Sequence, residues 1–435
     1  MVDIKFIREH ADEVKKAVSD RGLDLDIDRL LDIDEARVKC LRQIEDMKAE
    51  QNKLSKTKPD DATIERLKGV KKQIAELEQE LGRIQEEYMD MMVKVPTIPS
   101  KDVPFGKSDK DNVEIARWGE PPKFDFEPKS HIELAENLDL IDFQRGAKVS
   151  GYRGYYLKNE AVGLVMGLMM YALEKLIKKG FTPVIPPTLV KEFALFGSGY
   201  FNGRTYNPSV DEIYKIANSE EKTADGSISK EDKFLIGTAE PSILAYYADE
   251  IIDESKLPMK FCGFSQCYRS EIGSYGKNTK GIYRVHEFMK IEQVAITHAD
   301  VAEAEKLHEE LSSIAKELHE DLNIPYRQLL ICTGDLGAGK YKQYDMEAWI
   351  PSMNGYGETG SASNFLDWQA RRLNVRYKDD SGTKHVYMLN STAVPSPRML
   401  IAILENNQQA DGSITVPKVL QKYVGCEVIG AKARK

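Results

Sequence analysis

Residues 267–296 read CYRSEIGSYGKNTKGIYRVHEFMKIEQVAI, and this stretch decides the fold. Its ends read as strands, Tyr268-Arg269-Ser270-Glu271 on one side and Gly281 through Ile296 on the other. Between them runs a glycine-rich loop of about ten residues with Gly273, Gly276 and Gly281, so the whole is an extended hairpin. Side chains alternate across a strand. Arg269 and Glu271 therefore share a face, as do Arg284, His286, Phe288, Lys290 and Glu292. A face so rich in charge is no apolar core. It fits an anionic, planar ligand: Arg forks onto phosphate or carboxylate, Phe stacks on a base, and Glu accepts from an amine. It fits equally a salt-bridged ladder on a solvated sheet face, and the residues alone leave both readings open.

Upstream lie two helical runs. Leu67, Ile74, Leu81 and Tyr88 fall seven apart, and so do Val70, Leu77, Ile84 and Met91, which makes an a/d heptad seam. In the preceding run Ile33, Cys40, Met47 and Leu54 form a similar ladder. Leu30 and Ile44 lie on its partner row, and Arg37 and Gln51 interrupt it. KTKPDDAT, residues 56–63, stops one helix at Pro59 and starts the next at Asp60 and Asp61. The simplest structure is an antiparallel coiled-coil hairpin with arms of about 30 residues, roughly 45 Å long. A Pro-rich linker is expected over residues 95–123, after an N-terminal domain over 1–94, and a globular domain over 124–435. Within the last, SEEKTADGSISKED from Ser219 reads as a surface loop, and KDDSGTKHVYML from Lys378 as a hairpin turn followed by a strand.

The formal net charge of −9 argues against a nucleic-acid partner only when the chain is taken as a whole. Locally, Lys48, Lys53, Lys56 and Lys58 cluster near the hairpin tip, followed by Arg66, Lys68, Lys71 and Lys72. Taken alone, that run is a solvated helical face diluted by Asp60, Asp61 and Glu65. Five cysteines with no C-x-x-C pair point to reduced thiols in a cytoplasmic protein. The N-terminus, MVDIKFIREHADEVKK, lacks the apolar core of a signal peptide. The most apolar stretch, 161–177, is interrupted by Glu174 and Lys175 and reads as a buried helix; no membrane partner is expected.

Y-R-S-E-x-G-S-x-G-K-N-T-K-G-I-Y-R-V-H-E-F-x-K-I-E, starting at Tyr268, resembles motif 2 of seryl-tRNA synthetases nearly residue for residue, with Glu287 where the family usually has Gln. GFTPVIPPTLV from Gly180 resembles the helix-to-strand motif 1 of class II dimer interfaces. YMLNSTAVPSPRMLIAILENNQ from Tyr387 resembles motif 3. GTAEPSIL from Gly237 and DMEAWIPS from Asp345 agree, and the helical hairpin matches the family's tRNA-binding arm. The resemblance implies an α+β fold: an antiparallel sheet of six or seven strands flanked by helices, in a homodimer. It implies activation of L-serine by ATP with Mg²⁺ and transfer of the seryl group to tRNA(Ser). By the same resemblance Arg269 and Arg398 are the catalytic arginines, and Arg269 contacts the α-phosphate and the serine carboxylate. Glu271 reads the adenine amino group, Phe288 and Arg398 sandwich the base, and Arg284 holds the γ-phosphate. Ser270, Val285, Thr359 and Gly360 complete the ATP site. Glu358 and Ser361 ligate Mg²⁺. Thr238, Ala239, Glu240, Arg269, Glu292 and Thr392 form the serine pocket. His286 is expected in a packing or hydrogen-bonding role.

Besides Glu287, the chain departs from the family pattern in two places. E-x-S-S-C-S-N appears as Glu358-Thr359-Gly360-Ser361-Ala362-Ser363-Asn364, which loses a hydroxyl at Gly360. The bacterial N-G-S-G-L-A-V-G-R appears as Asn390-Ser391-Thr392-Ala393-Val394-Pro395-Ser396-Pro397-Arg398, closer to the archaeal and eukaryotic branch. These departures are the only support for an alternative, a non-catalytic paralogue acting as a dimeric coiled-coil scaffold.

Overall fold

The computed structural model describes residues 1–55, 60–217, 221–222, 226–229, 231–272 and 280–430. The chain divides into two compact units, Met1–Ile98 and Pro99–Lys435. Lys56, Lys58, Pro59, Gly273 and Gly276 lie outside the described residues, as does part of the 219–232 insertion.

In the first unit, short helices α1 (Ile4–Glu9) and α2 (Ala11–Asp20) precede the long helices α3 (Ile27–Leu54) and α4 (Asp61–Met92). The side chain of Asp60 accepts from the Thr63 N–H at 2.9 Å and caps α4, while Asp26 caps α3 through the Arg29 N–H. Every heptad position named above is buried or half-buried. Arg37 breaks the ladder for a reason that the periodicity does not carry. Its guanidinium donates to the buried carboxylate of Asp34 at 2.7 Å and lies 4.6 Å over the Tyr88 ring. Arg8 holds the other oxygen of Asp34.

The second unit is built on one eight-stranded sheet. Its strands, numbered among themselves, are β1 (Val113–Trp118), β2 (Thr182–Val184), β3 (Met259–Tyr268), β4 (Glu287–Thr297), β5 (Tyr326–Leu330), β6 (Lys342–Ile350), β7 (Gly355–Asn364) and β8 (Tyr387–Pro395). The order is β1-β5-β6-β7-β8-β4-β3-β2, antiparallel except where β2 runs parallel to β3. The main helices are α5 (His131–Asn137), α6 (Glu160–Lys178), α7 (Val301–Asp321) and α8 (Ser396–Asn406). Leu164, Leu168 and Leu176 of α6, Leu311 and Leu318 of α7, and Leu400 and Ile403 of α8 join Ile291, Ala295 and Leu389 of the sheet in the main core.

Three expectations are corrected. The sheet has eight strands, not six or seven, because β1 and β2 close its edges. The stretch 95–123 is not a linker throughout: Val113–Trp118 pairs with β5, since prolines exclude helix but permit an edge strand. The motif 2 strands are shorter than expected. β3 ends at Tyr268 and β4 starts at Glu287, and Glu271 has φ +53°, a left-handed conformation that no strand accommodates. The turn expected at 378–389 is present: Arg376–Asp379 pairs with Gly382–His385, and β8 follows.

A buried ionic cluster ties α5 and α8 to the returning segment of motif 2. Glu405 accepts from the backbone N–H of Ser352 and of His131 at 2.8 Å each, and from the Ser352 hydroxyl at 2.9 Å, while His131 Nδ1 lies 2.8 Å away. The Ile282 N–H donates to His131 Nε2 at 3.4 Å. Burial pushes the Glu405 carboxyl up, but the bonds from His131 and Ser352 outweigh it and hold its pKa below the ordinary value. A carboxyl whose folded pKa is depressed adds stability above its unfolded pKa, and loses it as pH falls through the folded value. Glu405→Ala is expected to destabilise the unit by about 3–5 kcal/mol, and Glu405→Gln to flatten the fall of Tm below pH 5, measured by thermal melts across pH.

Candidate active site

Two β-bulges shape the cleft. On β7, Ser361 pairs with Asp345 and Glu358 with Glu347, so Thr359 is an extra residue. The bulge restores the parity that a spacing of three would break, and Glu358 and Ser361 lie on one face with Asp345. Thr359 turns the other way, its hydroxyl 2.8 Å from His319 Nε2 on α7. On β8, Glu292 pairs with Thr392 and Ile291 with Val394, so Ala393 is the extra residue and Thr392 shares a face with Pro395. On β4, Phe288, Lys290 and Glu292 face the cleft while Ile291 and Ala295 face the main core. Beyond them Val294 and Ile296 lie under a second core with Ala239, Ile243, Leu373 and Val375. The ladder is thus buried, not solvated: Lys290 is 5% exposed and Glu292 2%.

The cleft, counted with the open solvent at its mouth, spans about 480 Å³. At one end three arginines meet two carboxylates. Arg284 Nη1 donates to Glu271 Oε2 at 3.1 Å. Arg398 Nη1 lies 3.1 Å from Glu358 Oε2 and donates to the Glu358 carbonyl at 3.0 Å, and its guanidinium sits 4.7 Å over the Tyr283 ring. Arg269 lies 5.5 Å over Phe288. Burial pushes the Glu358 carboxyl up, but Arg398, Arg269 and Arg284 hold it below its ordinary value. Asp345 feels burial and then Glu358, which raise its pKa to about 7.

At the other end Glu292 gathers donors. Thr238 Oγ1 donates at 3.0 Å and Thr392 Oγ1 at 3.4 Å, and Lys290 pairs with the same carboxylate. Glu240 accepts from Gln369 Nε2 at 2.6 Å and from the Tyr200 hydroxyl at 3.2 Å. Burial, then the charge of Glu292, pushes the Glu240 carboxyl up to about 7. An ammonium group entering here would meet two carboxylates, one of them readily deprotonated.

Arg269, Glu271, Arg284, Val285, Phe288, Glu358, Thr359, Gly360, Thr392 and Arg398 all line the one cleft. Thr238 and Glu292 reach it through Thr392. Ser361 lines an adjoining cavity that shares Gly360 and Thr392. Three residues stand apart: Glu240 is held by Gln369 and Tyr200 and does not line the cleft. Ser270 is placed by its N–H on the Glu212 carbonyl at 3.3 Å and does not line the cleft, and Ala239 packs into the second core. His286 Nδ1 lies 3.0 Å from both the Tyr214 hydroxyl and the Arg269 carbonyl, a hydrogen-bonding role as expected. Sequence reasoning gave no role to Lys290, Tyr283, Tyr200, Gln369 or Asp345. Lys290 was readable from its alternation with Glu292, whereas Tyr200 and Gln369 come from distant segments that no local pattern joins.

Gly360 has a steric reason. A Cβ there would stand 3.1 Å from Thr392 Cβ and 3.3 Å from its Cγ2, tighter than ordinary contact. The glycine makes room for the threonine methyl. Gly360→Ser is expected to raise the KM for serine several-fold, about 1 kcal/mol of overpacking, and Thr392→Ser in the same chain to recover part of that loss. Strictly additive effects in a double-mutant cycle on KM would refute the coupling.

Comparison with known proteins agrees with this geometry. Residues 222–407 match the tRNA synthetase class II core domain (G, H, P, S and T), and residues 1–99 the seryl-tRNA synthetase N-terminal domain. A serine–tRNA ligase of Borrelia garinii subsp. bavariensis is 44% identical, covering 98% of each chain. Another from Rubrobacter xylanophilus is 40% identical over 100% of each. Among solved structures, a seryl-tRNA synthetase from Pyrococcus horikoshii complexed with ATP superposes with a TM-score of 0.87 at 38% identity, over 100% of both chains. A cytoplasmic serine-tRNA ligase from Naegleria fowleri in complex with AMP gives 0.85 at 30%, over 100% of this chain and 99% of that one. With its arginine cleft, its bulged strands and its helical arm, the chain belongs to the seryl-tRNA synthetase family of class II.

Proposed function

We propose that the protein activates L-serine with ATP and transfers the seryl group to the 3′ end of tRNA(Ser). The observation that carries this reading is the pairing of three guanidiniums in the cleft with two buried carboxylates beyond it, Glu292 held by Thr392 and Thr238 and Glu240 by Tyr200, with Arg269 feeling Tyr200 on that side and Glu358 and Glu271 on the other. ATP lies with its base between Phe288 and Arg398, its amino group on Glu271, and its phosphates on Arg269 and Arg284. Relatives solved with ATP and AMP support this half. Serine places its ammonium among Thr238, Glu292 and Glu240, and its carboxylate on Arg269. That carboxylate attacks the α-phosphorus in line, and pyrophosphate leaves. No general base is needed, because the nucleophile is already ionised. The arginines bring two anions together and stabilise the charge that moves onto pyrophosphate. The 3′-hydroxyl of the terminal tRNA adenosine then attacks the seryl carbonyl, and AMP departs.

Glu358 and Ser361 fit a Mg²⁺ ion, being oxygen donors that the bulge brings to one strand face. When bound, the ion neutralises phosphate charge. Ligand exchange is built into the site: Arg398 must release Glu358, and Arg284 must release Glu271, as nucleotide enters. Among amino acids, a pocket that pairs with a hydroxyl rejects alanine strongly, and threonine is excluded by size.

A homodimer is part of the proposal. Helix α6 exposes Val162, Met166, Met170 and Ile177 along one stripe, and Ile185 in the following segment is 81% exposed. A cytoplasmic location fits the five free cysteines. Among the described residues no helix is long and apolar enough to cross a membrane. The arm is proposed to bind tRNA, although its basic run is partly spent internally: Lys48 pairs with Glu78, Arg66 with Glu50 and Lys68 with Glu65. Nothing in the cleft favours the scaffold alternative, because its arginines and carboxylates remain assembled.

ATP–pyrophosphate exchange, measured with Mg²⁺ and each proteinogenic amino acid in turn, is expected to respond to serine alone. Exchange with another amino acid overturns the pocket assignment, and none at all overturns the activity. Deleting residues 33–91 is expected to leave that exchange within a few-fold while abolishing tRNA charging. Normal charging by the shortened chain would remove the arm from tRNA binding.

A further inference from the structure

We propose that Arg153 is a positioning residue for Glu271, and through it for recognition of the adenine base. The inference rests on the role given above to Glu271. Arg153 lies in the turn between the helix Phe143–Ser150 and the strand Tyr156–Leu157, remote in sequence from motif 2. Its Nη1 is 3.6 Å from Glu271 Oε2, and both side chains are 5% exposed. The same oxygen accepts from Arg284 at 3.1 Å. Two cations on one carboxylate oxygen fix the direction in which the other points.

The two arginines are not equivalent. Arg284 lines the cleft, and the phosphates of a bound nucleotide compete for it. Arg153 is not among the residues lining the cleft; it lines a separate cavity with Tyr155 and His286 that meets the cleft at Phe288, and its guanidinium lies 5.3 Å over the Tyr152 ring. When Arg284 turns to phosphate, Arg153 stays as the counter-charge that keeps Glu271 aimed. A buried guanidinium needs such an anion as much as the anion needs it. The backbone supports the pairing. Arg153 has φ +67° and Glu271 φ +53°, left-handed conformations that non-glycine residues seldom adopt unless their surroundings hold them there.

The test uses the full-length protein with Arg153→Met, Arg153→Lys and, in parallel, Glu271→Gln. Serine-dependent pyrophosphate exchange is measured with ATP and with purine riboside triphosphate, which lacks the 6-amino group. Arg153→Met is expected to raise the KM for ATP about tenfold, to leave the KM for serine unchanged, and to lower the preference for ATP over the analogue about tenfold, as Glu271→Gln does. Arg153→Lys keeps the charge without the planar fork and is expected to lose about threefold in preference. Loss of preference in Glu271→Gln but not in Arg153→Met overturns the inference. Retention in both overturns the reading of Glu271 and the inference with it. A rise in both KM values at unchanged preference marks a merely structural role and also overturns it. Should Arg153→Met give no folded protein by thermal melting, Arg153→Lys decides, and an undiminished preference there overturns the inference.

Discussion

A strand buried on both faces has no solvent with which to neutralise its charges. β4 is such a strand, with a helix-packed core behind it, a second core over one end of its front face, and Lys290 and Glu292 in the remaining window. An isolated charge in that setting is prohibitively costly. Each neighbour therefore contributes a partner: Thr392 from β8, Thr238 from the segment before the Glu240–Ala245 helix, and Lys290 from the strand itself. The same demand organises the arginine end, where Arg269, Arg284 and Arg398 hold Glu271 and Glu358. What holds the cleft together is thus a set of partnerships among its own groups, which the proposed polar, charged substrates would take over.

Such a site is pre-organised in position but not in pairing. The arginines already stand where the proposed reading puts the phosphates, so little reorganisation is needed on binding. The carboxylates they release are those proposed to take the adenine amino group and the metal. Binding is an exchange of partners among fixed groups, which favours a ligand offering both signs of charge over a simple anion.

Much of this was legible in the sequence, because it depends on local rules. Seven-residue spacing located α3 and α4, Asp60 marked the start of α4, and alternation put Phe288, Lys290 and Glu292 on one face. What stayed hidden was non-local. Alternation assumes a regular strand, so it extended motif 2 across Glu271, whose positive φ breaks it. It also places Glu358 and Ser361 on opposite faces, and only the resemblance, not the spacing, brought them together. Arg37 looked like a flaw in the heptad seam until Asp34 and Tyr88 gave it partners. Edge strand β1, six residues in a proline-rich stretch, is defined by pairing with β5 and has little signature of its own.

The extra residue on β7 has a consequence for how the sequence tolerates change. Loops absorb insertions and deletions because their length carries little information. At Thr359 the strand carries one residue more than regular pairing needs: without it Glu358 would still sit opposite Glu347, on the same face as Ser361, and only the hydroxyl contact to His319 would be lost. A single-codon deletion at the bulge is therefore absorbed, whereas one at Ala362, where the pairing is regular, would carry Ser361 to the opposite face. The strand thus spares a residue at one position and none three positions further on.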